Sequence, residues 1–257
     1  MEHVVIAIAA FFISGLTLFS GFGLGTLLLP FFALFFPLDE AVALTAIVHL
    51  MNNLFKLVLL GRRADRSVLL RFGIPAILAS FAGAKSLLSL SGMHPLFQYA
   101  LWGKLYTVMP LKLVIAALMI VFALFEIVPR LAQLSFDRRY LMLGGLLSGF
   151  FGGLSGHQGA LRSAFLLRAG LSTDGFIATG VVIACLVDFV RVPVYALHFS
   201  TADLRTSGSL LAVATLAAFL GAFIGNRLVK KVTMRSVQVI VAVLLFFVAV
   251  GLGAGLI

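Results

Sequence analysis

Four long stretches of this sequence contain no Asp, Glu, Lys or Arg: Val4 to Leu38, Tyr140 to Leu161, Thr206 to Asn226 and Ser236 to Ile257. Roughly 20 helical residues cross the ~30 Å of hydrocarbon in a bilayer, so each run is long enough to span. Interrupted runs at 41–60, 67–88, 111–128 and 175–198 qualify as well. None alternates in the manner of a barrel strand. The expected fold class is therefore all-α, a polytopic membrane protein.

Composition agrees, with 62% hydrophobic and 11% charged residues and a mean hydropathy of +1.17. The formal charge of +10 raises the question of nucleic acid. The basic residues sit in short loops between apolar runs and form no stripe with aromatics, so they read as topogenic, and no nucleic-acid partner is expected. Glu2 and His3 stand where a signal peptide would carry Lys or Arg, so no cleavage is expected. The single cysteine, Cys185, excludes an intrachain disulfide.

The first run is too long for one untilted span and is interrupted at Ser20-Gly21-Phe22-Gly23-Leu24-Gly25, which predicts a helical hairpin whose second arm, Gly25 to Phe36, is short. Helix 41–60 follows, with Thr45, His49, Asn52, Asn53 and Lys56 on one face by the three-and-four spacing. Helix 67–88 comes next. Residues 89–110 hold His94, Tyr99, Trp102, Lys104 and Tyr106, a mixture that predicts an interfacial helix. Helix 111–128 completes the first half.

From Tyr140 the pattern recurs: a hairpin broken at 155–159, then helices at 174–198, 206–228 and 235–257. Residues match as well as hydropathy. Ser20-Gly21 pairs with Ser155-Gly156, Leu44-Thr45 with Ala178-Thr179, Lys56 with Arg191, Ala64-Asp65 with Ala202-Asp203, and Gly83-Ala84-Lys85 with Gly225-Asn226-Arg227. The chain thus reads as a first membrane repeat at 1–128, a cytoplasmic connector at 129–139 and a second repeat at 140–257, integrated into one transmembrane domain.

Basic residues set the orientation. With the loop at 61–71 inside, twelve of the 19 Lys and Arg residues face the cytoplasm, four (Lys85, Lys104, Lys112 and Arg205) face outward, and three lie in the membrane. Both termini are then outside. Each repeat holds a broken hairpin plus three spanning helices, so the two repeats are inverted, the architecture of secondary transporters.

The duplicated small-residue break followed by a proline- or arginine-bearing helix, the short hairpin arm and the G-A-x-x-G-x-(K/R/N) ending of the third helix resemble the TauE/SafE sulfite exporter family of bacterial membrane proteins. The resemblance covers nearly the whole chain. It implies transport of sulfite, sulfoacetate or other sulfur-containing and organic anions across the cytoplasmic (inner) membrane, with no cofactor and no enzyme activity. This chain departs from many relatives in the sparser Gly-Phe-Gly-Leu-Gly of the first break and the His-Gln of the second.

The candidate binding residues gather at the two breaks and on the polar faces beside them. At Ser155-Gly156-His157-Gln158-Gly159 the glycines let the backbone leave helical geometry, and a helix restarting near Gly159 offers free N–H groups with a positive dipole end. Arg162 lies in its first turn, and a guanidinium at a helix start makes an anion site. Ser20, Gly21 and Gly23 form the matching break, and Asn52, Asn53, Lys56 and Arg191 supply further donors and charge. Asp188 pairs with Arg191 three residues on, leaving Lys56 and Arg162 as an excess near +2. By a rise of 1.5 Å per residue, Lys56 lies roughly 7 Å from the inner end of its helix and Arg191 roughly 12 Å from the outer end of its own, one toward each mouth. His49 is a candidate for coupling or charge pairing.

The alternative is that the glycines only allow close packing, that Arg162 and Lys56 snorkel, and that Arg191 forms a purely structural pair with Asp188. A rival class is a membrane-embedded enzyme or accessory subunit. Neither a paired carboxylate, a metal-type His and Cys spacing, nor a nucleophile triad supports it. A carboxylate or thiosulfate-like anion remains open as substrate. The expected partners are a small anion and the lipid bilayer, and a homo-oligomer is compatible with the sequence.

Overall fold

The computed structural model describes residues 1–20, 24–60, 63–198, 207–228 and 234–257. Among them stand ten helices of eight residues or more: α1 (Glu2–Ser20), α2 (Leu24–Ala33), α3 (Leu38–Leu60), α4 (Arg66–Ser91), α5 (Pro110–Ile127), α6 (Leu141–Ser155), α7 (Gly159–Leu166), α8 (Thr173–Ala196), α9 (Gly208–Leu228) and α10 (Met234–Gly253). Four of them, α3, α4, α8 and α9, are long and apolar enough to cross a membrane. The arms flanking the breaks are shorter, with 10 residues in α2, 15 in α6 and 8 in α7. Arms of that length are shorter than the roughly 20 residues of a straight crossing, and backbone groups at a helix end inside a bilayer need enclosure by protein.

Local chemistry sets the boundaries. Asp65 accepts the Val68 N–H at the start of α4, and Ser172 accepts the Gly175 N–H at the start of α8. Proline occupies the first turn of α5, where the missing N–H costs nothing. A single π turn, Leu69–Gly73, sits inside α4. Gly156 closes α6 at φ +81, a conformation that a side chain would strain.

The helices of one half pack on those of the other in an exchanged pattern. On α6 the glycines Gly145, Gly149 and Gly153 lie against the backbone of Phe72, Ala76 and Ser80 on α4, so close that a Cβ at any of them would collide with a carbonyl. On α9, Gly221 and Gly225 meet Phe11 and Gly15 of α1 in the same manner. Small residues at four-residue spacing allow such backbone approach in lipid, where no hydrophobic force drives helices together. In both pairs residue numbers rise together, so the partners run parallel. The pairs α3 with α8 and α5 with α10 run antiparallel: His49 meets Asp188 while Asp65 meets Thr179, and Lys112 at the start of α5 reaches the carbonyl of Ile257 beyond α10. One apolar core includes Leu28, Phe32, Leu44, Ala84, Ile115, Met119, Ala218 and Leu245, and a smaller one gathers Phe72, Phe165 and Val187.

One expectation is overturned. The segment predicted as an interfacial helix is a β-hairpin, β1 (Phe97–Leu101) with β2 (Lys104–Val108), in the register Phe97 to Val108 and Leu101 to Lys104. Trp102 (φ 50) and Gly103 (φ 75) both take positive φ, the requirement of a two-residue turn that matches strand twist. Tyr99 and Tyr106 stack across the strands with centroids 5.4 Å apart. Two aromatic runs of five residues joined by Trp-Gly favour cross-strand pairing over a helix.

Candidate functional site

The two long polar-faced helices, α3 and α8, cross at the centre of the protein beside the break between α6 and α7. Asp188, on α8, is fully buried and receives two charge-assisted bonds, from His49 Nδ1 on α3 at 2.6 Å and from Arg191 Nε, one turn along its own helix, at 2.8 Å. A carboxylate here accepts only, which fixes the proton on the Nδ1 side of His49. Asn53 donates through Nδ2 to the His49 carbonyl at 2.9 Å and stands 3.1 Å from Nε2, holding the ring from behind.

Arg191 ties this cluster to the break. Its Nη1 donates to the Gly152 carbonyl at 2.9 Å, and the hydroxyl of Tyr195 donates to the neighbouring Gly153 carbonyl. Both acceptors lie in the last turn of α6, where the Gly152 carbonyl also accepts the Gly156 N–H at 2.9 Å, so Arg191 is its second donor. A Cβ on Gly156 would sit 3.0 Å from Arg191 Nη1. The other hairpin reaches the same point: a Cβ on Gly25 at the start of α2 would lie 3.5 Å from the Gly156 carbonyl and 3.5 Å from the His49 ring. The start of α2 and the second break therefore meet at the crossing of α3 and α8.

Past the break, Ser155 donates to the Phe151 carbonyl at 3.1 Å and lies 2.9 Å from His157 Nδ1, while the His157 ring stacks on Phe122 of α5 at 5.1 Å. The Gln158 carbonyl accepts from Ser148 at 3.1 Å, and its side-chain oxygen stands 3.4 Å from Arg162 Nη1. Arg162 is buried on α7, with its Nε against Gly180 of α8. Lys56, also buried, lies within electrostatic range of Arg162.

Charge does not balance at this centre. Lys56, Arg162 and Arg191 bring three cations, and Asp188 is the one buried carboxylate among the described residues. It makes ion pairs with Arg191 and His49, and no ion pair to Lys56 or Arg162 occurs among the described residues. Donors are in excess too. The Ser14 hydroxyl donates to Asn52 Oδ1 at 3.0 Å, and Asn52 Nδ2 has no acceptor among the described residues. Gln158 Nε2 and Arg191 Nη2 are likewise buried without an acceptor among the described residues. Buried donors in this condition are expensive, and charged ones most of all.

The structure places most of the residues expected from sequence on α3, on α8, or on the second break and the α7 helix that follows it: His49, Asn52, Asn53, Lys56, Ser155, Gly156, His157, Gln158, Gly159, Arg162, Asp188 and Arg191. Gly21 and Gly23 lie outside the described residues, as does the side chain of Ser20. Arg191, expected along an access path toward the outer mouth, is an enclosed member of the centre with no exposed surface. Sequence reasoning missed Ser14, Gly180 and Phe122. The first two carry a legible signal, small residues grouped within apolar helices as Ser14-Gly15 and Ala178-Thr179-Gly180, but nothing local marks Phe122.

The fold and site define a polytopic helical membrane protein with a cationic centre where two interrupted hairpins meet. Residues 5–252 match the family model described as Sulfite exporter TauE/SafE, and the chain belongs to that family of membrane transporters. No curated protein matches it in sequence.

Proposed function

We propose that the protein carries a small sulfur oxyanion, sulfite or an organosulfonate, across the bacterial cytoplasmic membrane by alternating access, and that the anion binds at the break beside Arg162. The observation that carries this reading is the combined excess of charge and donors: two buried cations without an ion-pair partner, and three buried N–H donors without an acceptor, within the described residues. An oxyanion answers both at once. It supplies negative charge and several acceptor oxygens, and Arg162 offers a planar fork suited to two of them. The nearby start of α7 adds its unpaired N–H groups.

Two inverted repeats, with both termini outside, supply the movement. Exchange of α1–α5 with α6–α10 maps the packing onto itself: α4 on α6 becomes α9 on α1, and the pairs α3 with α8 and α5 with α10 map onto themselves. Self-related pairs that run antiparallel are what a two-fold axis in the membrane plane produces, and a site on that axis can be opened to either side by rocking one repeat against the other.

A thermal-shift panel on purified protein tests the binding step. Sulfite and organosulfonates should raise the midpoint in a concentration-dependent way, because a ligand of the folded state stabilises it by mass action. Stabilisation by carboxylates or thiosulfate alone would reassign the substrate, and no stabilisation by any anion would defeat the proposal.

A further inference from the structure

The β-hairpin is not used by the transport centre, and its surface is unlike that of a soluble loop. Trp102 at its tip is 90% exposed, and Leu105 and Phe97 are 65% and 56% exposed. Leu96 and Leu101 are exposed as well. Directly paired residues share a face, so Phe97 and Leu101 emerge on one side of the ribbon while Leu105, opposite Ala100, emerges on the other. A rigid partner would cover one face. Exposed apolar groups on both faces and at the tip fit immersion in a fluid apolar medium.

Position and charge agree with that occupant. The hairpin connects the end of α4 to the start of α5, and it is fastened to the end of α10: Tyr99 donates through its hydroxyl to the Ala254 carbonyl at 2.6 Å, and the Gly255 backbone packs on that of Thr107. Three helix ends thus hold it at one level, where spanning segments leave hydrocarbon. Its ionisable side chains are cationic or neutral, with Lys104 beside the tip and no Asp or Glu from residue 66 to residue 125. Tryptophan and a lysine together suit the boundary between acyl chains and anionic headgroups.

We propose that the hairpin is a membrane anchor, its Trp102 tip inserted into the headgroup and acyl boundary of the adjoining leaflet, fixing the depth of the α5 and α10 pair. This does not depend on the transported anion.

Trp102 is the only tryptophan in the chain, so its fluorescence reports on the tip alone. The full-length protein is reconstituted into vesicles of phosphatidylethanolamine and phosphatidylglycerol, with and without acyl chains brominated near the headgroup, and titrated with acrylamide. The expected result is blue-shifted emission, loss of most intensity to the brominated lipid, and weak quenching by acrylamide. Lys104→Glu should weaken the brominated-lipid quenching in these anionic vesicles. Emission quenched by acrylamide and untouched by brominated lipid would overturn the proposal. Protection from both quenchers would equally overturn it, since the tip would then be covered by protein, such as a second copy of the chain.

Discussion

Asp188 is the residue on which the centre turns, because it holds His49 from one half and Arg191 from the other. Breaking a buried ion pair leaves a stranded charge and typically costs about 3–5 kcal/mol. Arg191→Ala should therefore lower the thermal midpoint sharply, and the neutral pair Asp188→Asn with Arg191→Gln should recover part of the loss. A double variant no more stable than Arg191→Ala would contradict the role given to the pair. Arg162 behaves differently, since within the described residues it has no ion-pair partner to strand. Arg162→Ala should remove anion-induced stabilisation while the protein still inserts, and Arg162→Lys, which keeps charge and loses the fork, should bind more weakly. Normal binding by Arg162→Ala would leave the break as a packing device. The cations and Asp188 were legible in the sequence because a charge inside an apolar run has few explanations. The bond from His49 to Asp188 was not, since those residues are 139 apart and no local pattern links them.

At the scale of elements, the glycines of α6 decide how closely two halves approach. Gly149→Leu should separate α4 from α6, because the added atoms fall on the Ala76 backbone. Monodisperse protein should drop steeply in size-exclusion chromatography of extracts, with a lower midpoint in what survives. A Leu variant as stable as the parent would mean that the contact is looser than described. Helix positions are legible in the sequence from the apolar runs, within a few residues at each end. The hairpin at 97–108 is not. Its aromatic and lysine content predicts the interface correctly by chemistry, but strand pairing depends on the Trp102-Gly103 turn and on contacts with α10, which a local reading does not contain.

For the whole molecule, the proposed duplication rests on matched breaks and matched cations in the sequence, and α4 packs on α6 and α1 on α9 through the same kind of glycine contact. Orientation rests on the distribution of Lys and Arg, so it has its own check. Cysteines introduced at Ser67 and Ser135 should react only with a cytoplasmic reagent, and those at Asp39 and Gln98 only with an external one; labelling of Ser67 from outside intact cells would contradict the inverted arrangement. The cationic centre where the start of α2 meets the second break is proposed to bind a sulfur oxyanion and pass it across the membrane. Uptake of sulfur-labelled sulfite into proteoliposomes tests it most directly, at alkaline pH so that little crosses as neutral sulfur dioxide. Saturable uptake by the parent protein, lost in Arg162→Ala and partly retained in Arg162→Lys, is the result predicted here, whereas uptake no greater than in empty vesicles, or equal in the parent and Arg162→Ala, would contradict the account.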